Sequence, residues 1–252
     1  MKNSDPDIPR TVPDPTRPGP GEDLTLLLGG RLKLLQPKQG YRFAMDPLVL
    51  AGFCCLEKGW SVLDLGAGNG VLSLLLAQRF PETRFTLLEL QESLAGLARR
   101  NIALNGREKT MEAVRGDLRQ KDLFPEKHFE ALVANPPYRA LGSGRLGPCR
   151  ERNLARHELE CTLHDWTKAA ARWLQNGGVI FAVYPVRRLT ELLAGLKEAG
   201  LIPKRLRLVY EKPAGQGLLA LVEARLGGGP EMRVEPPLFA NRINKERIPG
   251  PE

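Results

Sequence analysis

Four short stretches of the chain carry residues able to do chemistry. Residues 62–70 read Val-Leu-Asp-Leu-Gly-Ala-Gly-Asn-Gly. A short apolar run delivers Asp64 to a loop with Gly66, Gly68 and Gly70 at alternate positions and Ala67 between the first two. Glycine permits positive φ and lets a ligand lie against the backbone. The spacing D-x-G-x-G-x-G differs from G-x-G-x-x-G, which seats a pyrophosphate on a helix N-terminus. It suits a ligand without that group, cradled by a bent loop. Glu89, followed by Leu90, ends the next apolar run, where a carboxylate can accept from both hydroxyls of a sugar. Asp117 follows Gly116 after a third run and can accept from an amino group on a ligand's ring. A fourth run ends in Asn135-Pro136-Pro137-Tyr138. Its prolines hold the turn stiff and extended, and Tyr138 offers an aromatic face.

These positions work together only if the strands that carry them end at one edge. Residues 62–65, 85–89, 111–115 and 131–134 read as strands, with helices predicted over 72–79 and 93–104. Residues 159–174 have helical spacing and stop at Asn176-Gly177-Gly178. A strand over 179–184, a helix over 187–199 and strands over 205–210 and 218–225 follow. Such alternation predicts a parallel sheet covered on both faces, with ligands at the carboxyl ends of the strands. The last two strands leave no room for a helix between them and must pair antiparallel at one sheet edge. Upstream, residues 24–28 and 31–35 flank Gly29-Gly30, a two-residue hairpin signal. Asp46 is expected to cap a helix over 48–56, with Pro47 at its first position.

Composition bounds the rest. The chain has 252 residues, 42% of them hydrophobic, enough for a sizeable core. Residues 1–21 are Pro-rich and poor in large apolar groups, so they are expected to form a disordered tail. Residues 22–252 then make a single domain, with 22–45 as its N-terminal hairpin and entry segment. Lys and Arg number 37 against 29 Asp and Glu, a net charge of +8, which suggests a polyanionic partner. Cys54, Cys55, Cys149 and Cys161 contain no C-x-x-C pair, so no metal is expected, and they read as reduced thiols of a cytoplasmic protein. No apolar stretch is long enough for a membrane span, and the N-terminus lacks the apolar segment of a signal peptide.

Taken in order, the glycine loop, Glu89 and Asp117 resemble the cofactor site of class I S-adenosylmethionine-dependent methyltransferases. The resemblance covers about residues 40–225. It implies an α/β, Rossmann-like fold: a mostly parallel seven-stranded sheet with a terminal antiparallel hairpin, here joined by the small N-terminal hairpin. It implies S-adenosylmethionine as cofactor, held by Asp64, Gly66, Ala67, Gly68, Gly70, Glu89, Leu90, Asp117 and Asn135. Asn135-Pro136-Pro137-Tyr138 resembles the NPPY motif of amino-group methyltransferases. An adenine amino nitrogen is flat and a poor nucleophile, because its lone pair is conjugated with the ring. The motif implies that the Asn135 side-chain oxygen and the Pro136 carbonyl accept its two N–H groups. The lone pair is then free for in-line methyl transfer, while Pro137 stiffens the loop and Tyr138 stacks on the base. The base must be swung out to reach such a pocket.

Three further segments narrow the resemblance. They are residues 36–46 (Gln-Pro-Lys-Gln-Gly-Tyr-Arg-Phe-Ala-Met-Asp), Ala155-Arg156-His157-Glu158, and Val234-Glu235-Pro236-Pro237-Leu238. They resemble the bacterial tRNA(Val) (adenine-37-N6)-methyltransferase family. That family implies a tRNA substrate and a cytoplasmic enzyme, and places Arg42, Phe43 and Asp46 near the cofactor. Residues 1–21 and 241–252 lie outside the resemblance. Residues 139–156 carry Arg139, Arg145, Arg150, Arg152 and Arg156 among glycines, a candidate phosphate clamp. A monomer is expected, with no membrane partner. Two other readings stay open on sequence. One is a protein glutamine methyltransferase, which also uses NPPY, against which the basic charge and the lack of a large N-terminal helical domain argue. The other is a non-catalytic RNA-binding protein on the same fold.

Overall fold

The computed structural model describes residues 16–39, 44–136, 161–244 and 246–249. The apolar runs form the parallel centre of a sheet: β3 (Ser61–Leu65), β4 (Arg84–Glu89), β5 (Met111–Arg115), β6 (Phe129–Ala134) and β7 (Leu174–Pro185). The terminal hairpin is β8 (Leu201–Tyr210) and β9 (Gly217–Leu226), with β9 antiparallel to β7 and β8 outside it. Two short strands, β10 (Arg233–Val234) and β11 (Leu238–Phe239), lie parallel to β8 on its outer edge. The order is β10-β8-β9-β7-β6-β3-β4-β5: the expected seven strands, extended to nine by the two-residue β10 and β11. Separately, β1 (Glu22–Leu27) and β2 (Leu32–Pro37) form an antiparallel hairpin.

Side chains alternate between the two faces, so each central strand feeds two cores. Ala131 and Val133 of β6 join one apolar cluster with α1 (Asp46–Phe53), α2 (Val71–Arg79) and α3 (Glu92–Leu104). Leu132 and Ala134 join the other, under α4 (Leu163–Trp173) and α5 (Leu189–Glu198). Among the described residues no helix is long and apolar enough to cross a membrane.

Several local expectations need correction. The N-terminal hairpin turns through residues 28–31, not through two residues, since Leu27 pairs with Leu32. Leu28, Gly29 and Gly30 all have positive φ, at 54°, 66° and 87°. Leu28 tolerates this because its side chain is buried in the core. Asp46 is not a cap. Met45 is already helical and its carbonyl accepts from Leu48 and Val49, so Asp46 is the first residue of α1. Asn176-Gly177-Gly178 does not stop the helix, which has ended at Trp173. It forms an irregularity inside β7, whose pairing with β6 shifts between Phe129 and Ala131. The tail after Gly227 returns to the domain. Arg205 holds it by bonding both Glu223 and Glu235, at 2.6 and 2.9 Å. Ile243 and Ile248 pack on the core, and a Cβ on Gly52 would collide with the Pro249 carbonyl.

The N-terminal hairpin is fastened by α3 rather than by the sheet. Asn101 accepts from the Leu35 amide at 2.7 Å and donates to the Leu35 carbonyl at 2.9 Å. Asn105 does the same for Lys33, at 3.0 and 2.7 Å. Four helical residues rise about 6 Å and two strand residues about 6.8 Å, so the two asparagines match the free edge of β2. Asn101 also donates to the Asn69 carbonyl at 2.9 Å, tying the glycine loop to the same helix. Replacing Asn101 by alanine leaves three buried backbone groups unpaired, each costing about 1–3 kcal/mol. We expect Asn101→Ala to destabilise the protein by about 3 kcal/mol or more in urea unfolding, and Asn105→Ala, more exposed, by about 1 kcal/mol. Equal effects would show that the buried asparagine has no special share in the anchorage.

Candidate active site at the strand ends

The strands β5, β4, β3 and β6 are consecutive neighbours and parallel, so their carboxyl ends share one edge. That edge brings together Asp117, Glu89, residues 64–70 and Asn135. After Leu65 the chain turns with φ of 75°, 58° and 84° at Gly66, Gly68 and Gly70. The Gly66 and Ala67 amides both donate to the Leu88 carbonyl, at 2.9 and 3.0 Å. A Cβ on Gly66 would meet nothing within 4 Å, so this part of the loop is an open cradle. Gly70 has another reason: a Cβ there would press on Leu87 at 2.9 Å.

Glu89 is buried, and both its oxygens are engaged. One accepts from the Gly68 amide at 2.8 Å, the other from the Gln91 amide at 2.9 Å. Gln91 precedes α3, so one carboxylate fixes the loop and the helix start together. Each oxygen keeps a second lone pair for a ligand hydroxyl. Leu90, beside it, is half-buried.

Asp64 is buried and accepts from the Ser73 hydroxyl at 2.7 Å. Burial pushes its carboxyl up to about 7; the Ser73 hydrogen bond opposes this and the Glu89 charge adds to it. Sequence reasoning missed Ser73. It lies in the first turn of α2, directly after the loop, and a hydroxyl there in an otherwise apolar helix was the available signal. Asp117 is not the bare acceptor expected. The Arg119 side chain binds both its oxygens, with Nε at 3.0 Å from each, and this holds the carboxyl below its usual range. The Arg119 amide adds a bond of 2.9 Å.

Asn135 follows β6 half-buried, and its Oδ1 is fully buried with no hydrogen-bond partner among the described residues. An orphan buried acceptor costs about 1–3 kcal/mol, which a donor on a ligand would recover. Both polar atoms of the Asn69 side chain are likewise buried and, among the described residues, unpaired. Pro136 is buried beside Asn135. Asp46, at the start of α1, has its carboxyl raised by burial. Arg42, Phe43, Pro137, Tyr138, Ala155-Arg156-His157-Glu158 and the arginine loop lie outside the described residues. The open cradle at Gly66, the remaining lone pairs of Glu89 and the orphan oxygen of Asn135 fit S-adenosylmethionine and an amine beside it.

Asp64 also sets a pH dependence. Its folded pKa is raised above the unfolded value, so the native state binds the extra proton. Its contribution to stability is therefore full below about pH 4 and is lost as pH rises to about 7, by about 1.4 kcal/mol per pH unit. Asp64→Asn should remove this segment of the stability–pH curve. Urea unfolding at pH 5 and pH 8 compares the two proteins; an identical change in both would exclude a titrating Asp64.

Residues 53–190 match the family described as the methyltransferase small domain, more than half of the chain. A protein of Bacteroides thetaiotaomicron named tRNA1(Val) (adenine(37)-N6)-methyltransferase is 30% identical over 182 residues, covering 71% of this chain and 74% of its own. A protein of the same name from Porphyromonas gingivalis is 31% identical over 179 residues, covering 68% and 69%. Among solved structures, an Agrobacterium tumefaciens protein described as a predicted O-methyltransferase superposes with a TM-score of 0.61 at 21% identity, over 77% of this chain and 87% of that one. Geranyl diphosphate methyltransferase in complex with SAM superposes at 0.52 and 14% identity, over 72% and 84%. The matched segment contains the glycine loop, Glu89, Asp117 and Asn135, and on this evidence the protein belongs to the methyltransferase small-domain family, as a class I S-adenosylmethionine-dependent methyltransferase.

Proposed function

We propose that the protein methylates the exocyclic amine of adenine in RNA, with tRNA as its substrate in the cytoplasm, and acts as a monomer. The observation that carries this reading is the buried Oδ1 of Asn135, without a partner among the described residues, at the end of the strand next to the glycine loop. The relatives' names and the net charge of +8 support RNA over protein as the acceptor. The cofactor supplies an electrophilic methyl group on a positively charged sulfur.

The chain's own residues do the rest. Asn135 Oδ1 accepts one N–H of the target amine and the Pro136 carbonyl the other, drawing the nitrogen out of conjugation. Both acceptors are fixed before the substrate arrives: Asn135 by the paired end of β6 and Pro136 by its ring, so little reorganisation is left for the transfer step. The resemblance implies that Pro137 stiffens the loop and that Tyr138 stacks on the target base. Glu89, which keeps Gly68 and Gln91 in place, would hold the cofactor ribose, and Asp117, oriented by Arg119, would accept from the cofactor's adenine amino group.

Asn135→Ala should lower turnover about a hundred- to thousandfold while S-adenosylmethionine affinity stays within twofold of wild type. Labelled-methyl transfer to total RNA, DNA and protein, with calorimetric titration of the cofactor, tests both parts. Turnover above a third of wild type would refute the mechanism, and label in protein alone would refute the substrate class. Glu89→Ala should weaken cofactor binding at least tenfold, because charge-assisted hydrogen bonds contribute about 1.5–3 kcal/mol. Unchanged affinity in a folded variant would remove Glu89 from the site.

A further inference from the structure

The rim formed by the strand ends is divided by charge, with Asn135 at the boundary. On the side of β3, β4 and β5 three of the described arginines are committed to carboxylates. Arg119 is bound to Asp117, and Arg115 and Arg99 both lie against Glu92, at 3.5 and 3.2 Å. Beyond β6, three segments reach the same rim: Val186–Arg188 after β7, residues 211–216 between β8 and β9, and Ala240–Arg242 after β11. Register places them side by side. Ala134 of β6 faces Ala182 of β7, Pro185 faces Leu219, Tyr210 faces Gly217, and Phe239 faces Tyr210. The Asn241 amide donates to the Glu211 carbonyl at 3.2 Å, joining the last two segments.

Arg187, Lys212 and Arg242 on these segments are exposed, and among the described residues none of them forms an ion pair. Arg188 is paired with Glu191 at 2.9 Å and lies 5.4 Å from the Tyr184 ring centre. Arg242 lies over the Phe239 ring at 5.3 Å. Glu211 is the remaining acid of the three segments. From β7 to β11 there are three strand spacings, about 14 Å in all. That length holds several phosphates of a nucleic-acid strand, and three cations on one rim gain nothing from one another but do gain from a polyanion.

We propose that Arg187, Lys212 and Arg242 form the track for the substrate's phosphates, leading from the target pocket at Asn135 across β7 and β8 to the β11 edge. This rests on the RNA reading above and adds where the strand lies: on the half of the rim away from the cofactor. The three cations act on the backbone alone, so they serve affinity and not the chemical step.

The test uses the full chain and total tRNA. Arg187→Ala, Lys212→Ala and Arg242→Ala are combined in one variant. A control combines Lys58→Ala, Arg84→Ala and Lys109→Ala, which removes the same charge from exposed positions before β3, at the start of β4 and before β5, on the opposite sheet edge. RNA binding is measured at several salt concentrations, with KM, kcat and cofactor affinity alongside. The rim variant should raise KM for RNA at least tenfold and flatten the slope of log affinity on log salt by about 2, from about 0.7 per lost contact. Its kcat and cofactor affinity should match wild type, and the control should keep the wild-type slope. An unchanged slope in the rim variant, or an equal loss in the control, overturns the track while the RNA reading stands. Wild-type protein that binds RNA without salt dependence, or methylates protein instead, overturns the reading itself and the track with it.

Discussion

One buried carboxylate carries the arrangement of the site. Glu89 binds the Gly68 amide with one oxygen and the Gln91 amide with the other. The first bond fixes the glycine loop over the end of β3, and the second fixes where α3 begins. From α3, Asn101 reaches back to the same loop at Asn69 and outward to β2 at Leu35. Loop and helix thus form a closed circuit of hydrogen bonds around a group with little access to water, and the hairpin hangs from it at Asn101. In a low-dielectric setting such bonds are strong, and the loss of any partner leaves a charge or dipole exposed to nothing.

The electrostatics of this circuit are tense. Asp64 and Glu89 are both buried near adjoining strand ends, and the Glu89 charge disfavours ionisation of Asp64. The proton held by Asp64 up to about pH 7 relieves that tension in the free protein. A ligand with a positive centre offers another way to relieve it, since an opposite charge nearby favours the ionised form. Asp117, farther along the rim, is instead neutralised by Arg119. One site therefore holds three carboxylates in three states of compensation: a proton on Asp64, backbone amides on Glu89 and a guanidinium on Asp117.

Much of this was legible in the sequence, for a physical reason. Strands buried on both faces must be continuous apolar runs, and loops with positive φ must be glycine, so β3, β4, β6 and the loop at 66–70 announce themselves. The strand-end positions of Glu89 and Asn135 were legible because each terminates such a run, and that of Asp117 because it follows the glycine that closes β5. What escaped depends on partners distant in sequence. The companions of Asp64 and Asp117, Ser73 and Arg119, carry no pattern of their own. Asp46 looks like a cap by residue type, yet Met45 adopts the helical conformation first. The short strands β10 and β11 were invisible because two residues show no periodicity. They exist because β8 offers an unpaired edge and Arg205 reaches Glu235 from it.

That edge pairing has a consequence for how the molecule is assembled. The strands β10 and β11, with prolines between them, blunt an edge that would otherwise be free to recruit another chain. The tail then continues to Ile248 and Pro249, whose carbonyl sits against Gly52 of α1. A helix made early in synthesis is thus completed by some of the last described residues. Contacts of such long range form late and slowly. During translation α2 can cover part of α1 at once, but the face that meets β9 and Pro249 waits for nearly the whole polypeptide, a window in which a nascent chain is open to chaperones and to misassembly.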